Sequence, residues 1–172
     1  MSYIQVESVE ETVAKAKELN GVIELVDLDN PIGSVALIRD TSGAGFTVYE
    51  GNMLDSRTKS EINTLIYNEL HVSDAQKAIT FYEQLFNWRC HWINEYSLDV
   101  YCTLSENKLS TIHQIDNSIK GKYEYWTCVF GVANLQESID KIINLNGIVI
   151  DKEKKRALCS DGSEAFFYIQ EV

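Results

Sequence analysis

The stretch Glu18-Leu19-Asn20-Gly21-Val22-Ile23 returns late in the chain as Asn144-Leu145-Asn146-Gly147-Ile148-Val149. A recurrence of this kind means that one supersecondary unit is used more than once. In both copies Asn-Gly closes an amphipathic segment, the signature of a helix that ends in a left-handed residue, a conformation Gly and Asn adopt at least cost. Upstream, each segment opens on capping-box spacing, Ser8-x-x-Glu11 and Asn134-x-x-Glu137, where a short polar side chain accepts from an otherwise orphaned helical N–H. Val9, Val13, Ala16 and Leu19 line one face of the first helix, and Leu135, Ile139, Ile142 and Leu145 one face of the other. A third helix of the same kind starts at Asp74 and carries Ala78, Phe81, Tyr82 and Leu85 at helical spacing.

Downstream of each helix come three β-rich segments separated by turn residues: 22–28, 34–39 and 45–49; 89–95, 99–104 and 110–115; 147–151, 156–159 and 165–170. A short strand also precedes each helix, at 3–6, 66–72 and 125–132. The fold class expected is therefore α+β, with three βαβββ modules at 1–50, 64–120 and 121–172. One helix covers one face of a four-stranded sheet, so the other face must find a partner and modules must pair. The polar stretch GNMLDSRTKSEIN at 51–63 reads as a linker. The second and third modules are expected to pair as one domain, 64–172, leaving the N-terminal module an orphan. The orphan has two ways to bury its free face: pairing across a two-fold axis in a homodimer through residues 1–50, or packing on its own chain.

A formal charge of −11 leaves no basic stripe to displace counterions from phosphates, which argues against a nucleic-acid partner. The opening MSYIQVESVEE has neither a basic start nor an apolar core, and no run reaches membrane-spanning length, so no membrane partner and a cytoplasmic location are expected. Cys90, Cys102, Cys128 and Cys159 lie far apart without a C-x-x-C pair and read as free thiols that pack as small hydrophobes.

The segment Tyr67-Asn68-Glu69-Leu70-His71-Val72-Ser73-Asp74, continued by Phe81-Tyr82-x-x-Leu85-Phe86-x-Trp88, resembles the opening of a module of the vicinal oxygen chelate superfamily, which includes glyoxalases, bleomycin-resistance proteins and dioxygenases. Arg39-Asp40-Thr41-Ser42-Gly43-Ala44-Gly45-Phe46 is similar to that superfamily's D-P-x-G-x-x-F turn, with Thr41 in place of proline, and Ser160-Asp161-Gly162-Ser163-Glu164-Ala165-Phe166 is a weaker version. The resemblance is strongest to tandem glyoxalase-like proteins, with the first of four modules missing. It implies that two modules close a pseudo-barrel around a cavity.

The same resemblance implies metal ligands at two kinds of position: on strand one, seven residues before the helix-opening polar residue, and on the last strand, seven after the Asp of the turn. The first kind falls on Met1, Tyr67 and Thr127; the second falls on Thr47 and, counted from Ser160, on Phe167. None of the five is an ordinary divalent-metal ligand. The turn of the second module is unrecognisable, and His113 is the only candidate in its last strand. His91 and His113 are each flanked by apolar residues and read as core or rim histidines.

Glu69 and His71 are two apart on a strand and so share a face with Tyr67. The ligand-binding set expected from strand parity is Tyr67, Glu69, His71, Thr127, Val129 and Phe167, an aromatic pocket with one acid. The function expected is metal-independent binding of a small molecule, a cationic or aromatic compound held in a resistance-type role, with no cofactor. Two alternatives stand beside it: a lyase or isomerase using Glu69 and His71 as acid and base, and an oligomerisation or interaction module.

Overall fold

The computed structural model describes residues 2–52, 61–103, 107–163 and 165–172. The elements run β1 (Tyr3–Gln5), α1 (Val9–Glu18), β2 (Val22–Asp27), β3 (Ser34–Arg39), β4 (Gly45–Glu50), β5 (Leu65–Val72), α2 (Ala75–Phe86), β6 (Trp88–Trp92), β7 (Ser97–Cys102), β8 (Lys108–Gln114), α3 (Asn117–Lys120), β9 (Tyr125–Val132), α4 (Leu135–Asn144), β10 (Ile148–Lys152), β11 (Arg156–Ser160) and β12 (Phe166–Glu171). Apart from the short α3, this is strand, helix, three strands, repeated. The strand order repeats with it: β1-β4-β3-β2, then β5-β8-β7-β6, then β9-β12-β11-β10. The first and last strands of a module run parallel, Tyr3 beside Thr47 and Cys128 beside Phe167, while the others form antiparallel hairpins.

The ends of the long helices explain why the unit recurs. At each start a short polar side chain accepts from the third helical N–H: Ser8 from Glu11 at 3.2 Å, Asp74 from Lys77 at 3.0 Å and Asn134 from Glu137 at 3.0 Å. A second contact comes from the end of the last strand. Glu50 accepts from the Val9 N–H at 2.9 Å, Gln114 from Ala75 at 3.1 Å and Glu171 from Leu135 at 3.1 Å. At each finish an asparagine takes the left-handed conformation, Asn20 at φ 64°, Asn87 at φ 55° and Asn146 at φ 63°. The glycines that follow two of them serve a different need. A side chain at Gly147 would meet the Ser160 carbonyl at 3.0 Å, and one at Gly21 would meet the Ala16 carbonyl at 3.0 Å, so both glycines admit a close approach of backbone.

The chain forms two compact units, residues 1–56 with 69–126 and residues 57–68 with 127–172. In the first unit one core holds Val9, Val13 and Ala16 of α1, Ile38, Phe46 and Val48 of the first sheet, and Leu70, Val72, Phe81, Tyr82, Leu98 and Ile112 of the second module. The Phe46 ring lies 5.5 Å from Tyr82, 5.9 Å from Phe86 and 6.3 Å from Phe81, tilted or edge-on to each. The two compact units cut across the expected division into 1–50, a 51–63 linker and 64–172. The apolar face of α1 and Phe46 share a core with α2. Of the expected linker, residues 53–60 lie outside the described residues. The second unit has its own smaller core, Val132, Leu135, Ile139, Ala157, Cys159 and Ile169, with Phe130, Ile142, Val149 and Phe167 packed against it. Among the described residues no helix is long and apolar enough to cross a membrane.

A buried polar chain crosses the first core. The fully buried Tyr82 hydroxyl donates to Asp40 at 3.0 Å and accepts from the Trp126 indole at 2.9 Å. The other Asp40 oxygen accepts from the Ser42 and Ala44 N–H groups at 2.8 and 3.0 Å. Burial pushes the Asp40 carboxyl above its usual range despite these bonds, and the same desolvation pushes the Tyr82 phenol well up. Tyr82→Phe leaves both Asp40 and Trp126 short of a partner and is expected to lower stability by about 1–3 kcal/mol, read from urea unfolding.

Candidate metal centre

Strand β5 alternates. Leu70 and Val72 enter the core under α2, so Glu69 and His71 point to the opposite face. Both are nonetheless withdrawn from water, at 1% and 2% exposure. On the neighbouring β8, Ile112 belongs to the core and Gln114 turns to the start of α2. His113 between them therefore faces the same way as Glu69 and His71.

Three donors converge as a result. His71 Nε2 lies 3.4 Å from Glu69 Oε2, and His113 Nε2 lies 3.4 Å from Glu69 Oε1. The imidazole rings stand edge to face with centroids 5.4 Å apart. One ligand atom from each of the three lies within 4.8 Å of the other two, the one such group of three His, Cys, Asp or Glu side chains among the described residues. His113 Nδ1 lies 2.9 Å from the Ser97 hydroxyl, while its Nε2 is buried and makes no hydrogen bond. The Tyr125 ring packs at 5.2 Å from His71, and burial, then the nearby Glu124 carboxylate, push its phenol up.

The distances bear on two chemistries. Good N–H···O bonds run at about 2.7–3.2 Å, so 3.4 Å is long for a direct pair. Two donors that share one ion at about 2.1 Å and a tetrahedral angle lie about 3.4 Å apart. The donor set, two imidazoles and one carboxylate, suits a divalent transition metal. The residues present fit such an ion.

The remaining expected site residues fall elsewhere. Thr127 and Val129 belong to the second unit and are buried, the Thr127 hydroxyl donating to the Phe166 carbonyl at 3.4 Å. Tyr67 is in that unit too, and its hydroxyl donates to Gln170 at 2.7 Å. Phe167 packs against the helix-side core and sits edge-on to Phe130 at 6.0 Å, on the opposite face of the sheet from Thr127 and Val129. The count that chose it began one residue early. Asp161 accepts from the Ser163 and Ala165 N–H groups at 2.8 and 2.9 Å, as Asp40 does from Ser42 and Ala44, so Asp161 is the counterpart of Asp40. Seven residues on stands Tyr168. In the second module the equivalent position, three before Gln114, is Thr111, whose hydroxyl donates to Asp99 at 3.2 Å. Met1 lies outside the described residues. His91 is exposed beside Tyr101. The sequence offered His113 as the only candidate in the last strand of its module but read it as a core or rim histidine, and the signal for its face is the step from the Gln114 cap to the next residue back.

No family model matches the sequence, and no curated protein matches it. Solved structures do. Homoprotocatechuate 2,3-dioxygenase from B. fuscum superposes with TM-score 0.62 at 14% identity over 98% of this chain and 53% of that one. The Mn(II)-bound glyoxalase from Novosphingobium aromaticivorans gives 0.64 at 11% over 98% and 61%, and a catechol 2,3-dioxygenase gives 0.59 at 13% over 99% and 68%. The chain has the fold that these dioxygenases and this glyoxalase share, the fold that the Tyr67 to Trp88 resemblance implied. The chain spans about half the length of the homoprotocatechuate dioxygenase.

The described cysteines carry no disulfide, and only Cys159 is fully buried. Burial, then the Glu83 carboxylate, push the Cys90 thiol up to about 12. Cys90 is therefore expected to resist a thiol-specific disulfide reagent at pH 8 in the native protein and to react on unfolding, as followed by mass spectrometry of labelled peptides.

Proposed function

We propose that the chain binds a divalent transition-metal ion through Glu69, His71 and His113 and uses it to hold a small molecule with an oxygen donor. The observation that carries this reading is the convergence of three donors within 4.8 Å around a carboxylate that is 1% exposed. When bound, such an ion supplies Lewis acidity toward a ligand oxygen. The chain's own residues do the rest. Glu69 lowers the charge of the centre, His71 and His113 orient their Nε2 atoms toward it, and the buried setting excludes bulk water. His113, with about a quarter of its side chain exposed, marks the side from which a ligand arrives.

All three donors belong to one module and one compact unit, whereas the positions implied by the sequence resemblance were spread over three modules. The wild-type protein is expected to take up one equivalent of Zn²⁺ or Co²⁺ in equilibrium dialysis, and His71→Ala or Glu69→Gln to lose it. Wild-type protein without metal affinity sinks the proposal.

A second reading, metal-independent sequestration of a cationic or aromatic compound, is favoured by the absence of a donor at Met1, Thr47, Tyr67 and Thr127. The dialysis result separates the two. We propose in addition that two copies associate through residues 1–50. Its support is β2, the edge strand of the first sheet, which exposes Val22, Leu25 and Val26 together with an unpaired backbone edge. Light scattering at micromolar concentration is expected to give twice the monomer mass, and Leu25→Lys to reduce it to the monomer.

A further inference from the structure

The two nitrogens of His113 have different neighbours. Ser97 stands directly opposite His113 in the β7–β8 hairpin, and its Oγ lies 2.9 Å from Nδ1. Nε2 faces Glu69 Oε1 at 3.4 Å. Backbone bonds hold the serine in place: the Ile93 and Asn94 N–H groups donate to the Ser97 carbonyl at 2.9 and 3.3 Å, and the Gln114 N–H donates to the Tyr96 carbonyl at 2.7 Å. Ser97 is 9% exposed, so water does not easily replace its hydroxyl beside the ring.

We infer that Ser97 is the positioning residue that lets His113 change tautomer when the cation arrives, an inference that rests on the metal reading above. A neutral imidazole donates from one nitrogen and accepts at the other. In the metal-free centre Ser97 donates its hydroxyl proton to Nδ1, which leaves the ring proton on Nε2. To ligate a cation, Nε2 must offer its lone pair. One proton then leaves Nε2, one is taken up at Nδ1, the ring stays neutral, and the Ser97 oxygen accepts from Nδ1–H.

Only a side chain that both donates and accepts serves both states. A carboxylate at 97 would favour the loaded tautomer alone, and an alanine supports neither. The hydroxyl needs only to rotate about its Cβ–Oγ bond, so the centre keeps Nδ1 hydrogen-bonded whether empty or filled.

The test uses the full chain with Zn²⁺ alone, combining calorimetric titration with long-range ¹H–¹⁵N spectra of the histidines. Wild type is expected to bind one equivalent and to move the His113 proton from Nε2 to Nδ1 on loading. Ser97→Ala should bind Zn²⁺ about 10- to 100-fold more weakly, and Ser97→Thr should restore the affinity. Equal affinity in Ser97→Ala, or a threonine variant as weak as alanine, overturns the inference while the metal reading stands. If Ser97→Ala does not fold, the wild-type spectrum decides alone, because a Zn²⁺-loaded protein with His113 still protonated at Nε2 overturns it. Wild-type protein that takes up no Zn²⁺ overturns the metal reading, and the role of Ser97 falls with it.

Discussion

The bond from the end of each module's last strand to the first N–H of its helix sets the geometry on which the rest depends. Glu50, Gln114 and Glu171 each make it. Such a bond answers one of the orphaned donors at a helix start, and for Glu50 and Glu171 it adds a negative charge where the helix dipole favours one. Its larger consequence is register. Once the end residue turns toward the helix, strand periodicity sends its predecessor to the opposite face, so Tyr49, His113 and Gln170 are equivalent positions. The centre in the second module exists because a histidine occupies that position next to a β5 strand carrying Glu69 and His71.

Much of this was legible in the sequence. The Asn-Gly repeat and the Ser8, Asp74 and Asn134 caps located all three long helices, and the 67–88 signature pointed to the superfamily fold. What those signals could not convey was which apolar face covers which. Val9, Val13 and Ala16 form a stripe whatever partner buries them, and only the packed core reveals that Phe46 meets Phe81, Tyr82 and Phe86. The repeat also concealed a division of labour, since Asn20 and Asn146 take the left-handed turn while Gly21 and Gly147 make room. Asn87 performs the same turn with Trp88 behind it, which is why an Asn-Gly pattern missed the third copy.

The site was half legible. Glu69 and His71 follow from parity on one strand, a local property. His113 is a nonlocal partner, separated from them by a helix and two strands, and no recognisable turn placed it. Phe167 lies on the other face from Thr127 for a related reason, because a shift of one residue exchanges the two faces of a strand. Ser160 and Asp161 are adjacent in sequence, and only the hydrogen bonds to Ser163 and Ala165 distinguish which of them closes the turn.

The charge of the chain and the chemistry of the centre are separate matters. A net charge of −11 resides largely in side chains that solvent screens. Several serve local turns: Asp116 is held below the usual carboxylate range by its bonds to Ser118, and Asp161 by those to Ala165 and Ser163. Glu69 differs in kind. Its carboxyl group is enclosed with an imidazole nitrogen 3.4 Å from each oxygen, a setting in which a carboxylate attracts a cation several times more strongly than at the surface. An acidic surface raises the local concentration of any cation, but selection among cations belongs to the donor set, and two imidazoles disfavour Mg²⁺ and Ca²⁺ relative to zinc or iron.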